Sequence, residues 1–223
     1  TLWNAYWKNQ GGRAWHAYLS EVPKTMTKIV GITGGIASGK STVVAQLRKH
    51  GYQVIDADQV VHDLQKKSGR PYQALFDWLG DAILQDNGEL DRQALGQAIF
   101  GNQEMMAKSS ALQNDIIRQE LAQRRQELAK TESLFFMDIP LLIELDYVGW
   151  FDAIWLVVVD DETQLNRLMA RNHLTLAEAK KRMASQMPTK EKLAYADHIL
   201  DNNGDKAALE KQVEALLTDL SQP

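Results

Sequence analysis

The stretch Gly34-Gly35-Ile36-Ala37-Ser38-Gly39-Lys40-Ser41 constrains this chain more than any other, because it fits the pattern G-x-x-x-x-G-K-S/T. It also stands in the right context, between the β-branched run Ile29 to Thr33 and a segment with Val43, Val44 and Leu47 at helical spacing. The glycines let the backbone curl with its N–H groups turned inward, and the following helix start adds partial positive charge, so phosphate oxygens meet donors without a basic surface. In this reading Gly34, Gly35, Ile36, Ala37, Ser38 and Gly39 form the cradle. Lys40 reaches the β- and γ-phosphates, Ser41 ligates Mg²⁺, and Thr42 lies on the helix near the phosphates. A glycine-rich turn of no function is the competing reading, and the matched strand and helix argue against it.

The remainder alternates short β-branched runs with longer helical stretches, the sequence form of an α/β fold with a parallel sheet and covering helices. Five strands are expected, at Lys28 to Thr33, Gln53 to Asp56, Leu134 to Ile139, Ile154 to Val159 and, more weakly, His198 to Asp201. Roughly 75 residues separate the second from the third, more than one crossover needs, and they read as an inserted helical region. Its helices are expected around Leu75, Phe76 and Leu79, around Leu95, Ile99 and Phe100, and from Gln103 to Lys130 with Leu112, Ile116 and Leu121 on one face. Pro71, Gly80, Asn87-Gly88 and Gly101-Asn102 punctuate them. After the fourth strand a helix is expected from Asp161 to Arg171. Thr175-Leu176-Ala177-Glu178 matches a capping box opening another that ends before Pro188, and a last helix runs from Asp205 with Leu209, Val213, Leu216 and Leu220 in register.

A phosphate loop alone does not separate kinases from GTPases and motor ATPases. N-K-x-D, by which guanine is usually read, is absent; Asp201-Asn202-Asn203-Gly204 fits D-x-x-G but follows the last strand, too late for a γ-phosphate switch. Asp56-Ala57-Asp58 ends the second strand, at the sheet edge where ligands bind. A carboxylate there can take the proton of an attacking hydroxyl, or Asp58 can merely cap a helix beginning at Gln59 with Asp56 solvated; the local pattern leaves both open. Phe135-Phe136-Met137-Asp138 is an apolar strand ending in a carboxylate, suited to orienting Mg²⁺ or its water, or equally a strand-end cap. Arg167, Arg171, His173, Lys180, Lys181 and Arg182 concentrate positive charge on two helices and their link, as in a lid that neutralises a transferring phosphoryl group; Lys180 and Lys181 also suit a solvated helix face. The histidines His16, His50, His62, His173 and His198 show no ligand-spaced pair.

Composition narrows the partners. The net charge of -4 gives no broad basic footprint for nucleic acid or an anionic membrane, and no apolar run approaches the roughly 20 residues of a membrane span. With no cysteine, thiolate metal sites and disulfides are excluded, and a cytoplasmic setting is the expectation. Residues 1–25 differ from the rest: Trp3, Tyr6, Trp7, Trp15 and Tyr18 gather there around Gly11-Gly12. They are expected to be an appendage to a domain beginning at Met26, the alternative being an amphipathic helix docking Trp3, Tyr6 and Trp7.

Several of these motifs together resemble the dephospho-coenzyme A kinases. The resemblance runs from Met26 to about Leu217 and rests on Gly31 through Thr42, on Val54-Ile55-Asp56-Ala57-Asp58, on Asp138-Ile139-Pro140-Leu141-Leu142-Ile143-Glu144 and on Leu200 through Gly204. It implies ATP-dependent phosphorylation of the ribose 3′-hydroxyl of dephospho-coenzyme A, the last step of coenzyme A synthesis. The implied fold is a P-loop kinase with strand order 2-3-1-4-5, an acceptor-binding helical region over about 59–130 and a lid over about 161–190. By position, Asp58 resembles the catalytic base, Arg167 and Arg171 the lid arginines, and Asn202 and Asn203 the loop near adenine. Arg92 begins a helix of the acceptor region, and Pro140, Leu141 and Leu142 fall in a substrate-contacting loop. Asp138 would hold Mg²⁺ through water, and the enzyme would be a monomer or a weak homo-oligomer. Asn114-Asp115 stands where His-Pro is frequent, and Asn172 where the lid often has Asp. Two rivals remain: another small-molecule kinase acting on a nucleoside or nucleotide, and a module that binds nucleotide without transferring phosphate.

Overall fold

A computed structural model describes residues 27–99 and 102–220. Met26 and the aromatic segment before it, His16, Phe100 and Gly101 lie outside the described residues, so the expectations for them are not addressed by the fold.

Five parallel strands form one sheet in the order β2-β3-β1-β4-β5, as the family resemblance implied. They are β1 (Lys28–Gly34), β2 (Val54–Asp56), β3 (Leu134–Asp138), β4 (Ala153–Val158) and β5 (His198–Asp201). The chain divides into two compact units, one made of the residues up to Val54 and from Ala129 onward, the other of Ile55–Leu128.

In the first unit β1 is central. Every residue of it after Lys28 is buried, which is what a strand covered on both faces requires. Its register sets Ile32 against Asp138 of β3 and Gly34 against Val157 of β4. Four helices of this unit matter to the site: α1 (Lys40–Lys49), α6 (Asp161–Asn172), α7 (Leu176–Ala184) and α8 (Thr189–Lys192); α9 (Lys206–Leu220) is the last helix of the described residues. Val30 and Ile32 of β1, Trp155 and Val157 of β4, and Leu200 of β5 face Val43, Val44 and Leu47 of α1 and Leu209, Val213 and Leu217 of α9 in one core. Leu47 has no exposed surface, so truncating it to alanine would cost about 2–5 kcal/mol. The inward seam of α9 therefore runs through Leu217, with the expected Leu216 and Leu220 half-buried at its flank.

The second unit holds α2 (Ala57–Leu64), α3 (Arg70–Leu79), α4 (Arg92–Ile99) and α5 (Gln103–Leu128). Tyr72, Leu75, Ile83, Leu90 and Leu95 make its own core, and the Tyr72 hydroxyl donates to the Gly88 carbonyl at 2.7 Å. On α5, Leu121 is buried while Leu112 and Ile116 are half-buried. One of the two readings left open for Asp58 falls away here. The helix after β2 starts at Ala57, not Gln59, and its cap is Asp56, whose carboxylate accepts from Gln59 N at 3.0 Å. Asp58 is thus a first-turn helical residue and does not cap.

Candidate active site

In a parallel sheet the carboxyl ends of the strands share one edge, and the first unit brings four of them together: β1 into the glycine loop, β3 at Asp138, β4 into Asp160, and β5 into Asn202-Asn203. The loop turns through two left-handed residues, Ala37 at φ 61° and Gly39 at φ 97°. Gly39 is needed twice over, since a Cβ there would be strained and would collide with the amide of Asn202. A left-handed alanine costs on the order of 1 kcal/mol or more, so Ala37 persists only because its surroundings fix it. Part of that fixing comes from Asn202, 9% exposed, whose Nδ2 donates to Ser38 O at 2.7 Å. Ser38 N donates in turn to Gly35 O at 3.0 Å.

Lys40 opens α1, and its Nζ lies 2.8 Å from Asp138 Oδ1, with only 15% and 11% of the two side chains exposed. The phosphate-loop ammonium and the strand-end carboxylate therefore meet. Ser41 is exposed at the second position of α1 and Thr42 is half-buried behind it. Arg167 donates from Nη2 to Asn202 O at 3.1 Å, so it reaches the loop after β5. Arg171 lies one turn further along α6, exposed, its Nε donating to Asn172 Oδ1 at 3.0 Å. Asn203 ties two strand exits together: its Oδ1 accepts from Asp160 N at 2.9 Å, and its N and Nδ2 donate to Asp201 Oδ1. Asp160 caps α6 through Thr163 N and Thr163 Oγ1, both at 2.8 Å. Those bonds, the one from the Thr163 backbone first, hold its carboxyl below the usual aspartate range.

The loop after β3 divides. Pro140 is half-buried, its carbonyl accepting from Thr33 Oγ1 at 3.1 Å, and Leu141 is half-buried. Leu142 is fully buried beneath Gly31 and Phe151, so its side chain belongs to the core and offers no surface to a substrate. Glu144 pairs with Lys192 of α8, a fully buried lysine 2.8 Å away, and also accepts from Met187 N at 3.1 Å. Sequence reasoning passed over Lys192 and two glutamines, Gln164 and Gln186, which hydrogen-bond Ile36 of the phosphate loop. The one available signal was an uncharged amide at Gln164 in line with buried Leu168 one turn on.

In the second unit Asp58 is exposed at the second position of α2. Arg92, the first residue of α4, donates from Nε to Gln65 Oε1 at 3.2 Å and borders a pocket of about 290 Å³ that His62, Lys66 and Glu89 also line. Lys66 is paired with Asp63 at 2.7 Å, which leaves the Arg92 guanidinium as the group there best suited to an anionic ligand. Asn114 is half-buried on α5 and Asp115 exposed.

Among the described residues no three His, Cys, Asp or Glu side chains gather as metal ligands. A hydroxyl at Ser41 and one carboxylate at Asp138 nevertheless fit Mg²⁺, which keeps its waters and takes its other ligands from substrate phosphates.

Comparison with known proteins gives one family. The dephospho-CoA kinase family model matches residues 28–208. A dephospho-CoA kinase of Streptococcus pyogenes is 60% identical over 195 residues, covering 87% of this chain and 99% of that relative. The corresponding Streptococcus mutans protein is also 60% identical over 195 residues, covering 87% and 98%. Among solved structures, a Thermus thermophilus protein aligns with TM-score 0.74 at 34% identity over 88% of this chain and 99% of that one. A dephospho-CoA kinase of Campylobacter jejuni aligns with TM-score 0.64 at 28% identity, over 89% and 100%.

Proposed function

This chain belongs to the dephospho-CoA kinase family, and from that we infer that it transfers the γ-phosphoryl group of ATP to the ribose 3′-hydroxyl of dephospho-coenzyme A, completing coenzyme A. The observation that carries the reading is the match over residues 28–208, which includes the phosphate loop, Asp58, Asp138 and the Asn202 loop.

Phosphoryl transfer passes through a loose transition state with charge spread over the transferring oxygens, so the protein's work is to position and to neutralise. Loop N–H groups other than those of Ile36, Ser38 and Thr42, which are bonded within the protein, join the Lys40 ammonium in holding the β- and γ-phosphates. Lys40 would exchange Asp138 for the phosphates, and Asp138, through water, and Ser41, through its hydroxyl, would hold Mg²⁺. Bound there, Mg²⁺ would supply neutralising charge to the phosphates. Arg167 and Arg171 on α6 approach the transferring group. Asn202 and Asn203 shape the loop that meets adenine. Asp58 accepts the proton of the 3′-hydroxyl, or holds that hydroxyl in line, and Arg92, in the pocket that His62 and Lys66 also line, takes an anionic part of the acceptor. Pro140 and Leu141 complete the acceptor contacts from the loop after β3.

The same reading places the enzyme in the cytoplasm as a monomer or weak homo-oligomer acting on small molecules, without nucleic acid. No helix among the described residues is long and apolar enough to cross a membrane.

The test is ADP release from Mg²⁺-ATP with dephospho-coenzyme A, with adenosine or AMP, and with no acceptor. Release dependent on dephospho-coenzyme A is expected. Preference for a nucleoside or nucleotide would reassign the acceptor, and ATP binding without acceptor-dependent ADP release would leave a binding module.

A further inference from the structure

Ile36 sits inside the phosphate loop with neither polar group of its backbone paired to another backbone group. Both are instead held by side chains from far along the sequence. Ile36 N donates to Gln186 Oε1 at 2.8 Å, and Ile36 O accepts from Gln164 Nε2 at 2.7 Å. The backbone fixes both amide orientations, because an N–H can only donate and a carbonyl can only accept. The two glutamines thus treat one loop residue as a neighbouring strand would.

Neither glutamine is loosely placed. Gln164 is 5% exposed on α6 and approaches so closely that a Cβ on Gly35 would lie 2.5 Å from its Nε2. Gly35 is therefore set by the incoming amide. Gln186 follows α7, and the next residue is fastened: Met187 N donates to Glu144 Oε1, and Glu144 is held by the wholly buried Lys192. A continuous run of contacts joins Lys192, Glu144, Met187 and Gln186 to Ile36, and Gln164 grips Ile36 from its other side. The residue so held immediately precedes left-handed Ala37, where the loop begins its turn toward Gly39 and Lys40.

We propose that Gln164 and Gln186 are positioning residues for nucleotide binding: they clamp the Ile36 backbone, fix the turn at Ala37, and so aim the loop N–H groups that meet the ATP phosphates. The inference deepens the kinase reading and rests on the loop binding ATP. It accounts for two amides that charge patterns and motifs do not reveal. It also links the helices bearing Arg167 and Lys181 to the cradle through hydrogen bonds and not through charge.

Complementary substitutions test it, because one amide acts as acceptor and the other as donor. Glutamate at 186 can still accept from Ile36 N, whereas glutamate at 164 faces a carbonyl oxygen and cannot donate. Parent enzyme, Q186L, Q186E, Q164L and Q164E are compared for ATP affinity by calorimetry, for KM of each substrate and kcat, and for Tm. Q186L is expected to weaken ATP binding and raise its KM about fivefold to tenfold, the loss of one hydrogen bond, with a smaller change in kcat and none in the acceptor KM. Q186E is expected to recover most of that loss. Q164L should raise the ATP KM similarly, and Q164E should do no better than Q164L. If buried Gln164 cannot be replaced without unfolding, the Q186L and Q186E pair decides alone. Unchanged ATP affinity in Q186L, tighter binding in Q186L, or no recovery in Q186E would each overturn the clamp. A parent enzyme that binds ATP but does not phosphorylate dephospho-coenzyme A would instead overturn the assigned reaction, leaving the affinity measurements to judge the clamp.

Discussion

Asp58 stands two residues after a carboxylate that has taken over the work of capping, and that division makes its own role testable. Asp56 accepts from Gln59 N and begins α2, so removing charge at Asp58 leaves the cap in place. Asn matches Asp in size but takes no proton. If Asp58 serves the acceptor hydroxyl, Asp58→Asn should bind ATP as the parent does, keep its Tm, and lose about 10²- to 10⁴-fold in kcat. A loose transition state lets the hydroxyl proton leave late, so Asp58 can act chiefly by orienting the nucleophile, and the expected loss stands either way. Steady-state rates beside an ATP titration check it; a kcat within about threefold of the parent, far short of the general-base range, would remove Asp58 from the chemistry. From sequence the two aspartates were interchangeable, because both can cap and both follow a strand. Which one caps depends on where the helix starts, and a boundary shift of two residues decides that.

Elements were legible where the pattern was periodic. The β-branched runs located all five strands to within a residue or so at either end, and Thr175 with Glu178 forms the expected capping box, with Thr175 N and Oγ1 donating to the Glu178 carboxylate. The clamp around Ile36 was not legible, because its members are neutral amides joined over 128 and 150 residues of sequence and no local period encodes such a contact. Helix α6 carries Gln164 to Ile36 and Arg167 to Asn202, and its start depends on Asp160. Because Thr163 bonds depress the Asp160 carboxyl, the cap's stabilisation is fully present above the unfolded aspartate pKa and is lost as pH falls through the lower folded value. Asp160→Ala should therefore lower Tm at neutral pH, with the gap from the parent closing only in strong acid. Asp160→Asn, which caps without ionising, should stay near the parent at neutral pH and lack that acid-linked loss. Thermal melts across pH would show this, and a parent-to-alanine gap that stayed constant into acid would deny the carboxylate its role.

At the scale of the molecule, a parallel sheet was readable from the alternation of strands and helices, but the strand order 2-3-1-4-5 came from the family resemblance alone. Periodicity shows that a strand is buried on both faces and is silent about which strand lies beside it. The start of the domain is a question of the same scale. Lys28 N already donates to Ser133 O at 2.8 Å, and Thr27 Oγ1 donates to Ala129 O at 3.0 Å, so the described chain is tied to the fold from its first residues. The family match also begins at residue 28. We therefore expect a chain beginning at Met26 to keep kcat, both KM values and Tm. Because about 2–4 °C corresponds to 1 kcal/mol at this size, a fall of several degrees would mean that Trp3, Trp7 or Trp15 contributes buried surface. Unchanged Tm with a raised acceptor KM would instead give residues 1–25 a part in binding. Differential scanning calorimetry of the two chains, run beside the ADP-release assay, separates these outcomes, and only coincidence in both measurements supports a domain that begins at Met26.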